Sequence, residues 1–262
     1  MMVKNAAVVT VPNRDSPENG GLEGPMAYGE VWMRSVLNSL AWRGGPRRAL
    51  QGDAAIGSKF EDAVMSLDAS LVVGVGHGNA DTWVGQYIEA ESGYSVLLTP
   101  ANADLMVGRV VYLLSCLTAQ ELGPEIVNRG GMAYAGYNEE FVWTTADPSH
   151  PATDRLAAPF ARVSTMFPKV LIGGKTVKEA KDKAIEVFNQ EIERWEQSTD
   201  PYAREVTKWL LWNRDAFTVL GDETAVGFIP SIRTVLIVAG AIGAAATIGY
   251  LIYRRRKKVN RK

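Results

Sequence analysis

Thiols and imidazoles are scarce in this chain, which has one cysteine and two histidines in 262 residues. A single cysteine excludes an internal disulfide, so the thiol is free and the redox compartment cannot be inferred from a disulfide framework. Hydrophobic residues make up 47% and charged residues 22% of the chain, a composition that excludes global disorder. At this length we expect one large domain or two small ones, with a sizeable core.

The charge distribution is uneven, although the net charge of the whole chain is only −1. The last nine residues, RRRKKVNRK, hold seven of the 28 lysines and arginines and no acid. Residues 1–253 therefore carry 21 basic and 29 acidic groups, a net charge of −8. Because nucleic-acid binding depends on neutralising phosphates, this acidic part predicts that the chain has no nucleic-acid partner.

Charge is absent from a 19-residue run that directly precedes the basic tail. Residues 235–253 read VLIVAGAIGAAATIGYLIY, and as a helix that rises ~1.5 Å per residue they would extend about 28 Å. The hydrocarbon core of a bilayer is about 30 Å thick, so we predict a transmembrane helix in contact with membrane lipid, with Arg233 and Arg254 at its ends. A fully buried core helix is the alternative.

The orientation of this helix stays open, because two signals conflict. The first residues, MMVKNAAVVTVPNRD, lack the pattern of a signal peptide, which favours a cytosolic domain. The preference of basic residues for the cytoplasm would instead keep the tail there and place the domain on the other side. Small residues every four positions, at Ala239, Gly243 and Thr247, permit close helix contacts and hence a homo-oligomer.

Apolar strands and amphipathic helices alternate along the rest of the chain. Continuous apolar runs predict strands at residues 5–11, 71–78, 110–116 and 132–137. Apolar residues at helical spacing predict helices over 28–42, 58–67, 157–166 and 176–195. This alternation is typical of an α/β domain whose mostly parallel central sheet is covered on both faces.

Two of the helix starts have the spacing of a capping box, in which two side chains reciprocally satisfy amides at the helix start. Ser58 with Glu61 and Thr176 with Glu179 have this spacing. We therefore predict Ser58 and Thr176 as the capping residues.

The cysteine and one histidine each follow an apolar run. His77 follows LVVGVG and lies between Gly76 and Gly78, while Cys116 follows VVYLLS. Sites in parallel α/β sheets form beyond the carboxyl ends of the strands. If the two strands are neighbours, the imidazole and the thiol face one another at that edge of the sheet.

Such a pair has the chemistry of a nucleophile and its base. The thiolate is the nucleophile, and a free thiol with a pKa of ~8.5 is only slightly ionised at neutral pH. A nearby imidazole takes the thiol proton and later protonates the leaving group. The amides of Gly78 and Cys116, freed where the strands end, are candidate donors to the oxyanion of a tetrahedral intermediate. A side chain at position 78 would crowd the substrate.

The simpler interpretation of each residue is structural. A free cysteine often packs in a core like a small hydrophobic residue, and a lone histidine usually has a structural role. Trp83 and Trp143 either wall a cleft or belong to the core or its rim. His150, in DPSHP, is predicted to be a loop residue without a function.

The order and spacing of the motifs resemble the caspase–gingipain–separase superfamily of cysteine peptidases, nearest its gingipain-type branch. An apolar block ends in GHG, a second one ends in LLSC with the cysteine 39 residues after the histidine, and GGMAYAG (130–136) and LGD (220–222) follow. The resemblance covers roughly residues 65–225. It implies a caspase-like three-layer sandwich as the fold.

The domain organisation expected from these signals has four parts. They are a caspase-like α/β domain at 1–228, a short linker at 229–234, the transmembrane helix at 235–253 and the basic tail at 254–262.

The resemblance also implies a catalytic dyad with His77 as general base and Cys116 as nucleophile. We expect neither a cofactor nor a metal. The family often works without a fixed third residue, and the sequence shows none. Two departures are evident: LGDE stands where gingipain-type enzymes commonly have LGDP, and the signal peptide of extracellular members is absent. Neither touches the dyad, but both argue against a secreted, processed protein.

Members of the family cleave after Arg, Lys, Asp or Asn, according to the charge that lines the first substrate pocket. This makes the acids near the dyad candidates for substrate binding. Glu139 and Glu140 follow the strand next to the nucleophile, and Asp81 lies four residues after His77. Each is a candidate partner of a basic substrate side chain, and the alternative for each is a solvated surface acid.

The leading hypothesis is a membrane-anchored cysteine endopeptidase that acts on a protein or peptide substrate. One alternative is a catalytically inactive caspase-like domain that serves as an anchored binding or structural module. Another keeps the dyad but uses it for transpeptidation.

Overall fold

A six-stranded sheet and a separate hairpin form the centre of the computed structural model, which describes residues 5–230. The eight strands of this part of the chain are β1 (Ala7–Val11), β2 (Arg47–Gln51), β3 (Leu71–Val75), β4 (Trp83–Ile88), β5 (Gly93–Leu98), β6 (Val110–Leu114), β7 (Ala133–Tyr137) and β8 (Phe217–Gly221). The sheet has the order β2-β1-β3-β6-β7-β8, and β4 pairs with β5 in the hairpin. Every neighbouring pair in the sheet is parallel except β7 with β8.

Helices cover both faces of the sheet. Those of residues 5–230 are α1 (Pro25–Arg43), α2 (Gly57–Leu67), α3 (Leu122–Asn128), α4 (Ala158–Ile172), α5 (Val177–Glu196) and α6 (Ala203–Ala216). One core cluster joins α1, α4, α5 and α6 to the first face. A second cluster joins α2, α3 and β5 to the other face. The predicted α/β class with a mostly parallel central sheet is confirmed.

Burial on both faces explains why the central strands are continuous apolar runs. In β3, Leu71, Val73 and Val75 pack in the first cluster and Val72 packs in the second. Strand β6 alternates in the same way, and every residue of both strands is buried. The carboxyl ends of these two strands therefore emerge together from the middle of the sheet.

The two predicted capping boxes have different outcomes. Thr176 caps α5 as predicted: its hydroxyl accepts from the Glu179 amide at 3.2 Å, and the Glu179 carboxylate accepts from the Thr176 amide at 2.9 Å. The box at Ser58 is wrong, because α2 begins at Gly57 and Ile56 is its N-cap residue. The Gly57 amide instead donates to Ser95 Oγ at 2.9 Å, so a side chain of the hairpin replaces the cap.

The helix predicted over 157–166 is also too short. Helix α4 runs on to Ile172 and includes Pro168. Phe167, Leu171 and Ile172 are buried in the first core cluster, and this packing holds the last turn despite the proline.

Several of the predictions fall on residues that the structure does not describe. The transmembrane helix at 235–253, the basic tail at 254–262 and most of the linker at 229–234 lie outside residues 5–230. Within residues 5–230, every helix is too short or too polar to cross a bilayer.

Candidate active site

Parallel pairing places the ends of β3 and β6 side by side. The register runs from Leu71 opposite Val110 to Val75 opposite Leu114. His77 and Cys116 each lie two residues beyond the last pair of this register. Both residues line the same cavity at the carboxyl edge of the sheet. The structure thus meets the condition set by the sequence, that the two strands be neighbours.

A buried carboxylate lies against the imidazole. His77 Nε2 is 2.5 Å from Asp15 Oδ1, and the Asp15 side chain is fully buried while that of His77 is 31% exposed. A carboxylate only accepts hydrogen bonds, so it selects the tautomer that carries the proton on Nε2. In that tautomer Nδ1 has a free lone pair and is able to accept the proton of a thiol.

Two further donors fix the Asp15 carboxylate. The Met26 amide, in the first turn of α1, donates to Oδ2 at 2.7 Å, and the Tyr94 hydroxyl donates to Oδ1 at 3.2 Å. The ring of Tyr94 also meets the His77 ring edge to face, with 5.2 Å between the centroids. The imidazole is therefore held by a carboxylate from one loop and an aromatic ring from the hairpin.

Asp15 belongs to the loop between β1 and α1, and sequence reasoning missed it. The loop closes on itself where the Asp15 amide donates to the Gly21 carbonyl at 2.8 Å. Gly24 leaves room for the carboxylate, since a Cβ atom there would lie 2.5 Å from Asp15 Oδ2. Asp15 and His77 are 62 residues apart, and no motif of the sequence relates the two.

The thiol of Cys116 is partly exposed and has a raised pKa. Burial is the main cause, because it disfavours the charged thiolate. A hydrogen bond from the Phe141 amide acts in the opposite direction, and the negative charge of Glu140 again raises the pKa. Because burial favours the neutral thiol, activation of this sulfur as a nucleophile requires a base.

The amides of Gly78 and Cys116 lie just beyond the strand ends. Gly78 pairs with Trp83 in an isolated bridge whose hydrogen bonds run from Val84 N to His77 O and from Asn79 N to Thr82 O. Neither the Gly78 amide nor the Cys116 amide donates to a backbone carbonyl of another residue within 5–230. The Cys116 amide does contact its own sulfur, which lowers the pKa of that thiol. An acceptor from outside the chain would therefore compete with the sulfur at the Cys116 amide but not at the Gly78 amide.

Glycine at position 78 is required by the nucleophile segment. A Cβ atom there would lie 2.3 Å from Ser115 Oγ, 2.7 Å from Thr118 Cγ2 and 3.0 Å from the Cys116 carbonyl oxygen. Crowding of a substrate was the reason expected from the sequence. The structure shows a different one, a close approach between the end of β3 and the turn that carries Cys116.

The three acids considered as substrate contacts are exposed. Asp81 lies in a turn in which Asn79 Oδ1 accepts from the Asp81 and Thr82 amides. Glu139 and Glu140 follow β7, and the Glu139 carbonyl accepts from the Leu117 amide at 3.2 Å. None of the three lines the cavity that contains His77 and Cys116. Their contact with a substrate stays a prediction.

The two tryptophans and the second histidine that the sequence singled out lie in three different environments: the core, the cavity and the surface. Trp83 is fully buried over Gly74 and Gly76 in the second core cluster. Trp143 lines the cavity beside Cys116. His150 is exposed, and its Nδ1 contacts Asp147 Oδ2 at 2.8 Å.

The arrangement of sheet and helices is the caspase/gingipain-like fold, the fold of a class of cysteine peptidases. The chain is similar in structure to the Arg-specific cysteine proteinase gingipain R, with a TM-score of 0.52 and 14% identity over 84% of this chain and 47% of that chain. It is also similar to RgpB of Porphyromonas gingivalis in the complex of its pro- and mature domains. There the TM-score is 0.51 and the identity 14%, over 86% of this chain and 48% of that chain.

The chain spans about half the length of these two solved chains. No family model matches the sequence, and no curated protein matches it. At this level of identity the structural likeness establishes the fold. The chemistry has to be argued from the site itself.

Proposed function

We propose that the chain is a membrane-anchored cysteine endopeptidase that cleaves peptide bonds with Cys116 as nucleophile and His77 as general base. The observation that carries this proposal is the pairing of β3 with β6, which brings His77 and Cys116 to one cavity. The buried Asp15 beside His77 Nε2 supports it, because this carboxylate selects the tautomer whose Nδ1 is able to accept the thiol proton.

Acylation begins with transfer of the Cys116 proton to His77 Nδ1. The sulfur attacks the carbonyl carbon of the scissile bond, and an S–C bond forms as the carbonyl becomes an oxyanion. The amides of Gly78 and Cys116 donate to this oxyanion. When the tetrahedral intermediate collapses, the C–N bond breaks and His77 returns the proton to the leaving amine.

Deacylation reverses the roles with water. His77 takes a proton from water, the hydroxide attacks the thioester, and the S–C bond breaks with return of the proton to the sulfur. Asp15 is a positioning residue throughout, because it touches the imidazole and never the substrate. It stabilises the imidazolium that forms in each step.

Covalent labelling tests the proposed pair. We expect iodoacetamide to alkylate Cys116 of the native 262-residue chain at neutral pH. After His77→Ala this reaction should be at least about tenfold slower, because a half-buried thiol without a base stays protonated. His150→Ala is the matched control and should alkylate at the unchanged rate, since His150 is an exposed loop residue. Mass spectrometry of the modified peptide measures both rates.

Incubation with a peptide library then distinguishes the peptidase from the transpeptidase and from an inactive module. Hydrolysis products that require both His77 and Cys116 support the peptidase, and newly joined peptides indicate transpeptidation. A protein whose thiol labels equally with and without His77, and which cleaves no peptide, would be an anchored binding or structural module.

The membrane anchor is the part of the proposal that rests on residues 235–253 and on the basic tail behind them. We expect the full-length chain to stay with membranes during extraction at alkaline pH and to leave them in detergent. Small residues at four-residue spacing in this segment also suggest a homo-oligomer. Release of the chain into the soluble fraction at alkaline pH would contradict the anchor and leave the peptidase proposal standing.

A further inference from the structure

The cavity beside the thiol has an apolar lining. Its volume is about 200 Å³. It is lined by Pro25, Met26, Gly29, Trp32, Val75, Gly76, His77, Leu114, Ser115, Cys116, Phe141 and Trp143. His77 and Cys116 are the only members of this set with a titratable side chain.

The sheet contributes the floor of the cavity. Val75 and Leu114 precede His77 and Cys116 by two residues, and alternation along the strands places them on the face that α1 covers. Helix α1 approaches closely because position 29 is glycine: a Cβ atom there would lie 2.6 Å from Val75 Cγ2. The cavity is therefore a gap between the strand ends and the first turns of α1.

Three aromatic rings form the walls. The centroid of Trp32, on α1, lies 5.5 Å from that of Trp143 and 6.2 Å from that of Phe141. Phe141 and Trp143 belong to the segment after β7, and the Phe141 amide donates to the Cys116 sulfur. The segment after β7 thus contacts the nucleophile and also forms two walls of the cavity. When the scissile carbonyl of a substrate lies at Cys116, the side chain next to that carbonyl is therefore close enough to enter the cavity.

The nearest buried acid is already occupied. Both oxygens of Asp15 accept hydrogen bonds, from His77, Met26 and Tyr94, and Asp15 does not line the cavity. A buried guanidinium or ammonium group without a partner carries a large desolvation cost. A carboxylate would meet the same cost, because no lysine or arginine lines the cavity.

We propose that this cavity binds the substrate side chain immediately before the scissile bond, and that it selects an apolar side chain of the size of Leu, Met or Phe. The proposal rests on the peptidase function and names its substrate class. A cavity of about 150 Å³ with an apolar lining holds a benzene ring, so about 200 Å³ has room for a leucyl or benzyl group. Selection of an apolar side chain differs from the selection of Arg or Lys that the exposed acids Asp81, Glu139 and Glu140 would provide.

The test uses peptides that differ only at the residue before the cut, with Phe, Leu, Met, Ala, Arg, Lys or Asp there. We expect kcat/KM for Phe, Leu and Met to exceed that for Ala by about 10²-fold, as a pocket discriminates by each missing carbon, and to exceed that for the charged residues by more. Preferred cleavage after Arg, Lys or Asp would overturn the proposed specificity while the peptidase function stood.

A second readout is independent of turnover. N-acetyl-phenylalanine amide at millimolar concentration should protect Cys116 from iodoacetamide, and N-acetyl-arginine amide should not. Selective protection without cleavage of any peptide would support the apolar pocket and refute the peptidase. Equal protection by both compounds, or protection by neither, would refute the pocket.

A matched pair of tryptophan variants tests whether the preference for apolar side chains arises at this cavity. Trp143→Ala removes one wall and should lower kcat/KM for the Phe and Leu peptides at least about tenfold, with most of the loss in KM. Trp42→Ala removes an indole that is 64% exposed at the far end of α1 and should change neither value. An unchanged preference in Trp143→Ala would also overturn the assignment.

Discussion

Replacement of Asp15 by asparagine is expected to lower kcat for peptide hydrolysis by about 10³- to 10⁴-fold, with little change in KM. Two N–H donors face the carboxylate, one from His77 Nε2 and one from the Met26 amide. Asparagine has a single acceptor oxygen and two N–H groups. If that oxygen accepts from Met26, the amide nitrogen faces Nε2 and the proton of the imidazole moves to Nδ1. The tautomer that accepts the Cys116 proton is then lost.

Tyr94→Phe is the matched control for Asp15→Asn. It removes another hydrogen bond to the same carboxylate, which joins the hydroxyl to Oδ1 at 3.2 Å, but it retains the ring that packs on His77. The hydroxyl also accepts from the Ser16 amide at 3.0 Å and from Asn19 Nδ2 at 3.2 Å, and these two bonds are lost as well. Since Asp15 keeps its bonds to His77 and Met26, we expect kcat to fall less than about tenfold, because the net worth of each hydrogen bond is modest.

A tautomer measurement distinguishes positioning from a general loss of structure. The chain has two histidines, so the ring nitrogens of His77 are readily assigned by NMR, with exposed His150 as an internal reference. In Asp15→Asn the proton should move from Nε2 to Nδ1 of His77 while thermal unfolding stays cooperative. Full activity with an unchanged tautomer would show that Asp15 has no part in the chemistry.

The sequence predicted the centre of the sheet because burial determines it. Strands β1, β3, β6 and β7 are covered on both faces, so each is a continuous run of apolar residues that stands out in any window. The edge strand β2 has the sequence RRALQ with only Leu50 buried. The sequence of β2 shows no pattern typical of a strand, because the pairing of β2 with β1 depends on backbone hydrogen bonds and not on side-chain periodicity.

The candidate site likewise contains some residues that the sequence could predict and others that it could not. His77 and Cys116 were accessible to sequence reasoning because each follows a buried strand, and strand ends converge in parallel sheets. Asp15 was not, because it lies in a loop of polar residues, glycines and prolines, and tertiary packing alone brings it to His77. The aromatic cavity was predicted only in part. Trp143 was a candidate for the wall of a cleft, but Trp32 comes from α1 and Phe141 and Trp143 come from the segment after β7, and nothing in their spacing indicates that the three rings meet.

Gly78→Ala is the second change with a large expected effect, a loss of about 10²- to 10³-fold in kcat. The new methyl group would lie 2.3 Å from Ser115 Oγ and 3.0 Å from the Cys116 carbonyl oxygen. Either the end of β3 or the turn at Cys116 must shift, and this shift displaces the amides of residues 78 and 116, the two proposed oxyanion donors, relative to one another. Measured kcat and iodoacetamide labelling should separate this loss from damage to the thiol, because labelling forms no oxyanion.

Two further variants test whether the loss of kcat in Gly78→Ala arises from the steric contact with Ser115. Gly93→Ala, in the hairpin, adds a methyl group whose nearest neighbour would be an oxygen at an ordinary 3.7 Å, so it should retain full activity. Ser115 Oγ is buried without a hydrogen-bond partner among the described residues, and its removal relieves the tightest of the contacts. Adding Ser115→Ala to Gly78→Ala should therefore restore part of the lost kcat. A double variant no more active than Gly78→Ala alone would instead place the damage at Thr118 or at the Cys116 carbonyl, and an active Gly78→Ala would remove position 78 from the oxyanion site.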